Sequence, residues 1–482
     1  MIADKWCWCH MPAMIMLQLA PVTLSSSTQM TCPTPMRRLL RTILLYAVGI
    51  VLAIGSAISP AAASMIRDTE IEAGLEGLMA HLVAAAGFPP GGVKIRIVID
   101  PSYNAFVAGK RIIYVHSGLL EKASGAGEFL GVMAHELGHV REGHVQRLDD
   151  ELQQASNNAA LATLAAIAVA AGGSGDAAAG VLIGGTDTAK RGFLASRRRD
   201  EAVADEIALD LLEKTGTSAV GLRDLMARMA RQRSLPESRQ SLYYSTHPGA
   251  QERLQALQDH VGKSDHSDNQ LPEVAEEIYD RIVAKMAAWT EAPQRVIVRA
   301  AEMAPNAMME TYILAIASFR RGDLGGALTH MDQLTALYPD DAFFHEFKGD
   351  ILFAMAKPAE AAASYETALQ RRPGSVLIQL NLGRSLITEG GPASLERAIQ
   401  VLVMARNAES RWGFLHRQYG IALGKAGRIT EADLALADEA IVINDKQRAA
   451  QLAKRVLARE GIAENLRSRA SDILFRYGGQ TD

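Results

Sequence analysis

The chain has 482 residues, enough for two or more domains with at least one substantial core. A composition of 48% hydrophobic and 22% charged residues with only 5% aromatics excludes a disordered chain and suits a folded, largely helical one. The formal net charge of −4, with no long Lys/Arg run, leaves no nucleic-acid footprint.

Cys7, Cys9 and Cys32 all lie in the first 35 residues. A single residue between Cys7 and Cys9 is poor spacing for a closed tetrahedral metal site, and no later cysteine completes one. The stretch "MRRLLRTILLYAVGIVLAIGSAISPAAA", 36–63, has a basic start at Arg37, Arg38 and Arg41, an apolar core from Ile43 to Ile58, and a small-residue end at Ala61 to Ala63. It reads as a secretory signal peptide, with Met36 the expected start and 1–35 an upstream extension or misassigned start. The rival reading is an uncleaved anchor, for which the apolar run is slightly short. A thiol-free remainder suits an oxidising compartment.

From Arg67 to Ala85, Ile71, Leu75, Leu78, Leu82 and Val83 recur at helical spacing. "VKIRIVID", 93–100, alternates with a period of two and predicts a half-buried strand; shorter strands follow near 105–107 and 111–115. Helices are expected over 127–148, 199–213 and 220–231, completing an α+β domain over 64–261. Residues 159–189 form an alanine and glycine tract broken by Gly172 to Gly175 and Asp176. It reads as a buried or mobile helical hairpin, or else as a surface against a membrane or over an active site.

"GKSDHSDNQLPE" opens an expected linker and connecting helix over 262–293. Beyond it Pro305, Pro339 and Pro373 recur every 34 residues. Gly349, Ala361, Tyr365 and Ala368 fall on the tetratricopeptide pattern, with Leu352 in place of its usual aromatic residue. Gly383 keeps the phase, and Gly420 and Ala432 recover it after about three inserted residues. Residues 294–478 therefore read as an all-α repeat solenoid of four or five helical pairs, a binding scaffold with no catalytic chemistry of its own.

The chemistry concentrates in "GVMAHELGHVREGH", 131–144. On a helix, His135 and His139 are separated by about 400° of rotation, so both imidazoles lie on one face and can share a zinc ion, with Glu136 beside them. Such a pair suits peptide hydrolysis, zinc polarising water and carbonyl while the glutamate takes the proton. A third ligand is needed, a carboxylate or another histidine. "SRRRDEAVADEIALDLL", 196–212, offers Glu201 as a ligand and Asp205, one turn on, as a partner for the far nitrogen of a liganding histidine; a plain charged helix face is the alternative.

Five blocks in order, "RDTEIE" (67–72), "DPSYNAFVAGKRIIYVHSGLL" (100–120), "HELGHVREGH" (135–144), "SRRRDEAVAD" (196–205) and "THPGAQER" (246–253), resemble the zinc metalloproteases of the HtpX and CAAX-prenyl-endopeptidase type. The resemblance implies a zincin-like fold and one Zn2+ per chain, with His135, His139 and Glu201 as ligands, Glu136 as general base and Asp205 as the acidic residue one turn later. It implies that His247 approaches the metal as a fourth, inhibitory ligand and that Arg253 stabilises the developing oxyanion. It implies that Asn104, Ala105, Phe106 and Val107 form the edge against which an extended substrate lies. His144, about 140° around a continuous helix from His139, is expected to pack or support rather than bind metal. Integral-membrane relatives surround the zinc domain with spanning helices, and no convincing span follows residue 63 here.

The expected function is then a zinc endopeptidase exported to the periplasm, peripheral to a membrane at most. Its expected partners are unfolded or misassembled envelope proteins, with the repeats recruiting outer-membrane assembly machinery. Two alternatives stay open: a chaperone-like repeat adaptor with a silent zinc domain, and a cell-wall metallo-amidase.

Overall fold

The structure is a computed structural model that describes residues 64–479 apart from 110, 146, 148–174 and 236–239. The expected upstream extension and signal peptide, and residues 159–174 of the alanine and glycine tract, lie outside the described residues.

The first domain is α+β. Strands β1 (Ser64–Ile66), β2 (Lys94–Ile99), β3 (Ala105–Ala108) and β4 (Ile112–His116) form one sheet in the order β1-β2-β4-β3. β2 and β4 are parallel, while β1 and β3 join antiparallel at the two edges. The alternation in "KIRIVI" puts Ile95 and Ile97 in the core. β3 is thus an edge strand, paired to β4 with Phe106 opposite Tyr114 and their rings stacked at 5.2 Å.

The helical stretch expected over 67–85 is two helices, α1 (Thr69–Leu78) and α2 (Ala80–Ala85), separated at Met79. Asp68 caps α1 by accepting the N–H groups of Glu70 and Ile71 at 3.0 Å. After α3 (Ser117–Lys122), the long α4 (Ala126–Glu142) is buried along nearly its whole length. It packs against α5 (Gly175–Thr215) and α6 (Val220–Arg231). The helix expected over 199–213 is the C-terminal part of α5, whose first residues belong to the alanine and glycine tract. The short α7 (Leu242–Thr246) and α8 (Ala250–Val261) close the domain.

The segment between the two expected domains holds α9 (Glu273–Thr290). Tyr279, Ile282 and Met286 enter the core of the α+β domain, and Ala284, Ala288 and Trp289 enter that of the repeats. One helix serves both cores. After α10 (Pro293–Met303), five helical hairpins follow among the described residues: α11 (Ala307–Arg320) with α12 (Leu324–Leu337), α13 (Ala342–Ala354) with α14 (Pro358–Arg371), α15 (Val376–Glu389) with α16 (Pro392–Ala408), α17 (Gly413–Lys425) with α18 (Ile429–Val442), and α19 (Lys446–Leu457) with α20 (Glu464–Tyr477). The pattern glycines sit where the helices of a pair touch: a Cβ on Gly349 would meet the Tyr365 ring at 2.7 Å, and one on Gly383 would meet Leu402 at 2.7 Å.

The charged block "RDTEIE" builds the joint between the domains. Lys285 of α9 donates to Asp68 at 2.7 Å and lies 2.8 Å from Glu70, which also accepts from Arg281 and, at 2.9 Å, from the Tyr312 hydroxyl. Thr69 donates to Glu346 at 2.7 Å. Burial would push the Glu70 carboxyl up, and the Arg281 and Lys285 charges hold it below its ordinary value instead. A second contact forms further along the solenoid. α16 runs 17 residues where α12, α14 and α18 run 14. The longer helix delivers Glu409 to Arg67 and Arg96, at 3.0 and 3.1 Å, and Trp412 beneath the Arg67 guanidinium at 4.4 Å. The inserted residues seen as a phase shift in the repeat are thus spent on a contact with the first domain.

Candidate metal centre

α4 and α5 cross closely because both are small at the crossing. A Cβ on Gly138 would come within 2.8 Å of the Ala204 carbonyl oxygen, and on α4's other flank a Cβ on Gly131 would come within 2.9 Å of Leu222. This brings His135 and His139 of α4 against Glu201 of α5. His247 arrives from the turn after α7. Gly138→Ala is therefore expected to force the two helices apart and to destabilise the domain by about 1–3 kcal/mol. Urea unfolding checks the stability, and a chelator-competition titration is expected to show weaker metal binding.

One donor atom from each of His135, His139, Glu201 and His247 lies within 4.8 Å of the others, and all four residues are buried. His135 Nε2 is 3.1 Å from His139 Nε2 and 3.3 Å from both His247 Nδ1 and a Glu201 carboxylate oxygen. His247 Nδ1 is 3.0 Å from Glu201, and His139 Nε2 is 3.6 Å from it. Bonds of about 2.0–2.1 Å to a tetrahedral zinc would set its donors roughly 3.3 Å apart, so the four residues fit that ion. Glu136 lies beside them, 1% exposed, and neither of its oxygens has a hydrogen-bond partner. His247 Nε2 lies 3.5 Å from its Oε1.

The supporting bonds orient the ligands. His135 Nδ1 pairs with Asp205 at 2.9 Å, leaving Nε2 to face the cluster. Arg253 donates twice to Asp205, at 2.5 and 2.7 Å, and once to Glu201 at 2.8 Å. Burial would raise the Asp205 carboxyl; the Arg253 charge and the bonds from Arg253 and His135 bring it to about 2. Burial also favours the neutral form of Glu136, whose carboxyl lies above its ordinary value. Burial lowers the His135 imidazole, but its bonds to Asp205 and Glu201 reverse the effect and lift it to about 9. A metal therefore has to displace a proton from His135. Its apparent affinity is expected to rise by up to about tenfold per pH unit from pH 7 to about 9, and calorimetry in buffers of different ionisation enthalpy is expected to register the released proton.

Arg253 bonds to Asp205 and Glu201, so the guanidinium clamps the two carboxylates. The helix expected over 127–148 needs correction. His144 is not on a continuing helix, because α4 ends at Gly143, whose φ of 66° is left-handed. The turn folds the His144 ring back so that its Nδ1 is 2.8 Å from His139 Nδ1.

The expected substrate edge runs beside the cluster. The Asn104 carbonyl accepts from His116 N–H at 3.0 Å and so faces β4, while the Ala105 carbonyl lies 3.4 Å from His247 Nε2. Phe106 and Val107 continue β3. Tyr243 N–H donates to the Tyr103 carbonyl at 3.3 Å, and Thr246 Oγ1 donates to Asn104 Oδ1 at 3.3 Å. The 243–247 segment thus lies against the start of this edge, at Tyr103 to Ala105.

Residues 67–261 match the profile of Peptidase family M48. The chain is 32% identical over 176 residues to Metalloprotease LoiP of Escherichia coli (strain K12), covering 35% of this chain and 63% of that protein. It is 29% identical over 170 residues to Metalloprotease YcaL of the same organism, covering 35% and 62%. The chain thus spans less than two thirds of the length of either. The Beta-barrel assembly-enhancing protease of Yersinia pestis is 22% identical over 365 residues, covering 74% of this chain and 73% of that protein, an alignment too long to be contained in residues 67–261. No helix among the described residues is long and apolar enough to cross a membrane.

One residue of the site escaped the sequence reading. Tyr243 is buried, its ring centroid lies 4.3 Å from that of His247, and its hydroxyl has no hydrogen-bond partner. Burial holds that hydroxyl neutral far above its ordinary range. Its signal in the sequence is only its place four residues before His247.

Proposed function

We propose that the chain is a zinc-dependent endopeptidase of the bacterial periplasm that degrades misfolded or stalled envelope proteins in outer-membrane quality control. The observation that carries this reading is a buried set of four donor residues beside a carboxylate without hydrogen-bond partners and a strand edge. One Zn2+ per chain would be held by His135, His139 and Glu201, polarising the scissile carbonyl and acidifying a water. Glu136 takes the water's proton and passes it to the leaving amine; its burial raises its basicity for that work. β3 receives an extended chain through backbone hydrogen bonds, which asks little of the client's side chains and suits unfolded proteins. His247 and the 243–247 segment move aside when the client enters. The relative named for β-barrel assembly supports outer-membrane proteins as clients, with the repeats recruiting them or their assembly machinery.

A second reading is a repeat adaptor with a silent metal site, favoured by His247 completing the donor set. Incubating the full chain with zinc and a permanently unfolded protein decides between them. The native form is expected to cleave slowly, H247A to keep metal and cleave faster, and E136Q not to cleave. Absence of cleavage by both the native and H247A forms, with metal bound, would remove the endopeptidase reading. Slower cleavage by H247A would make His247 part of the catalytic set.

A further inference from the structure

α5 supplies three carboxylates to the site, and the proposed reaction uses two of them. The third is Asp200, immediately before the ligand Glu201. His144 is 1% exposed, its Nδ1 faces His139 Nδ1 at 2.8 Å, and its Nε2 has no hydrogen-bond partner but points to Asp200 Oδ1 at 3.5 Å. Arg147 Nη2 lies 3.7 Å from the same oxygen. Two imidazole nitrogens at hydrogen-bond distance require that one donate and the other accept. A ligand His139 must offer Nε2 as a bare lone pair, so its hydrogen is on Nδ1 and is donated to His144. His144 must then accept at Nδ1 and carry its own hydrogen on Nε2, the nitrogen turned to Asp200.

We propose that Asp200 and His144 form a carboxylate–imidazole relay that fixes the tautomer and ring orientation of His139 for metal binding. It is the counterpart of the direct Asp205 contact to His135, lengthened by one ring. His144 is a positioning residue: it touches neither the metal position nor the strand edge. Gly143 is what makes the relay buildable, since only the left-handed turn at φ 66° brings residue 144 back over residue 139.

This inference rests on the metal reading of the site, and its test separates the two. The full chain is stripped of metal and titrated with Zn2+ against a chelator, and with Co2+ while its visible absorption is followed, for the native form, His144→Ala, His144→Asn and Asp200→Asn. His144→Ala is expected to weaken zinc binding about 10–100-fold and to alter the cobalt spectrum. His144→Asn, whose amide oxygen can accept from His139 Nδ1, is expected to recover most of the affinity, and Asp200→Asn to lose less than His144→Ala. Thermal unfolding of the metal-free proteins monitors folding, and should His144→Ala not fold, the asparagine variants carry the comparison. A native chain that binds one zinc, with all folded variants within twofold of it, overturns the relay and leaves the metal site standing. A native chain that binds no zinc overturns both.

Discussion

Glu136→Gln is expected to lower peptide hydrolysis by about 10²- to 10⁴-fold, the range a general base supplies, while metal content stays that of the native chain. The two side chains have nearly the same shape, and neither Glu136 oxygen has a hydrogen-bond partner, so the exchange removes a base without breaking a hydrogen bond. Burying a carboxylate without partners is costly. The variant is therefore also expected to gain about 1 kcal/mol in metal-free stability, the reverse of what loss of a structural residue would do. Initial rates on a fluorescence-quenched unfolded protein, metal analysis and urea unfolding read the three quantities. A rate within tenfold of native would remove Glu136 from the mechanism.

Arg253→Leu is expected to cost about 3–5 kcal/mol of stability, because it removes the guanidinium that bonds both buried carboxylates, Asp205 and Glu201. For a domain of this size that corresponds to roughly 10 °C in the unfolding midpoint. Arg253→Lys keeps the charge but cannot reproduce the paired bonds to Asp205, so an intermediate loss is expected. The measurement is urea unfolding of the metal-free chains. An Arg253→Leu variant with native stability but a large drop in turnover would instead favour a direct, oxyanion-stabilising part.

What the sequence discloses about this site follows the range of the interactions. His135, Glu136 and His139 are legible because helical periodicity alone brings them together. Glu201 and Asp205 are legible as a spacing, since one helical turn separates them, but their meeting with His135 depends on the α4–α5 crossing, which Gly138 permits and no local pattern reveals. His247 and Arg253 carry no local signal, and only the family resemblance pointed to them. His144 takes the supporting place expected of it, beside His139, although the chain leaves α4 at Gly143 instead of continuing the helix. The repeats are the opposite case: each hairpin repeats the same short-range packing, so their glycines and prolines mark the architecture directly. The double duty of α9 was not legible, since an amphipathic helix does not say how many cores it enters.

The Arg67, Arg96 and Glu409 contact bears on how a captured client would be cut. Two domains joined by one connection swing by default. Here the solenoid is fastened at α9 and again at its third hairpin, so the separation between the repeat surface and the metal centre is set by the fold. The chain is built as a ruler: for the proposed activity, the stretch of client between its point of capture and its scissile bond would have a length set by the protein, not the client.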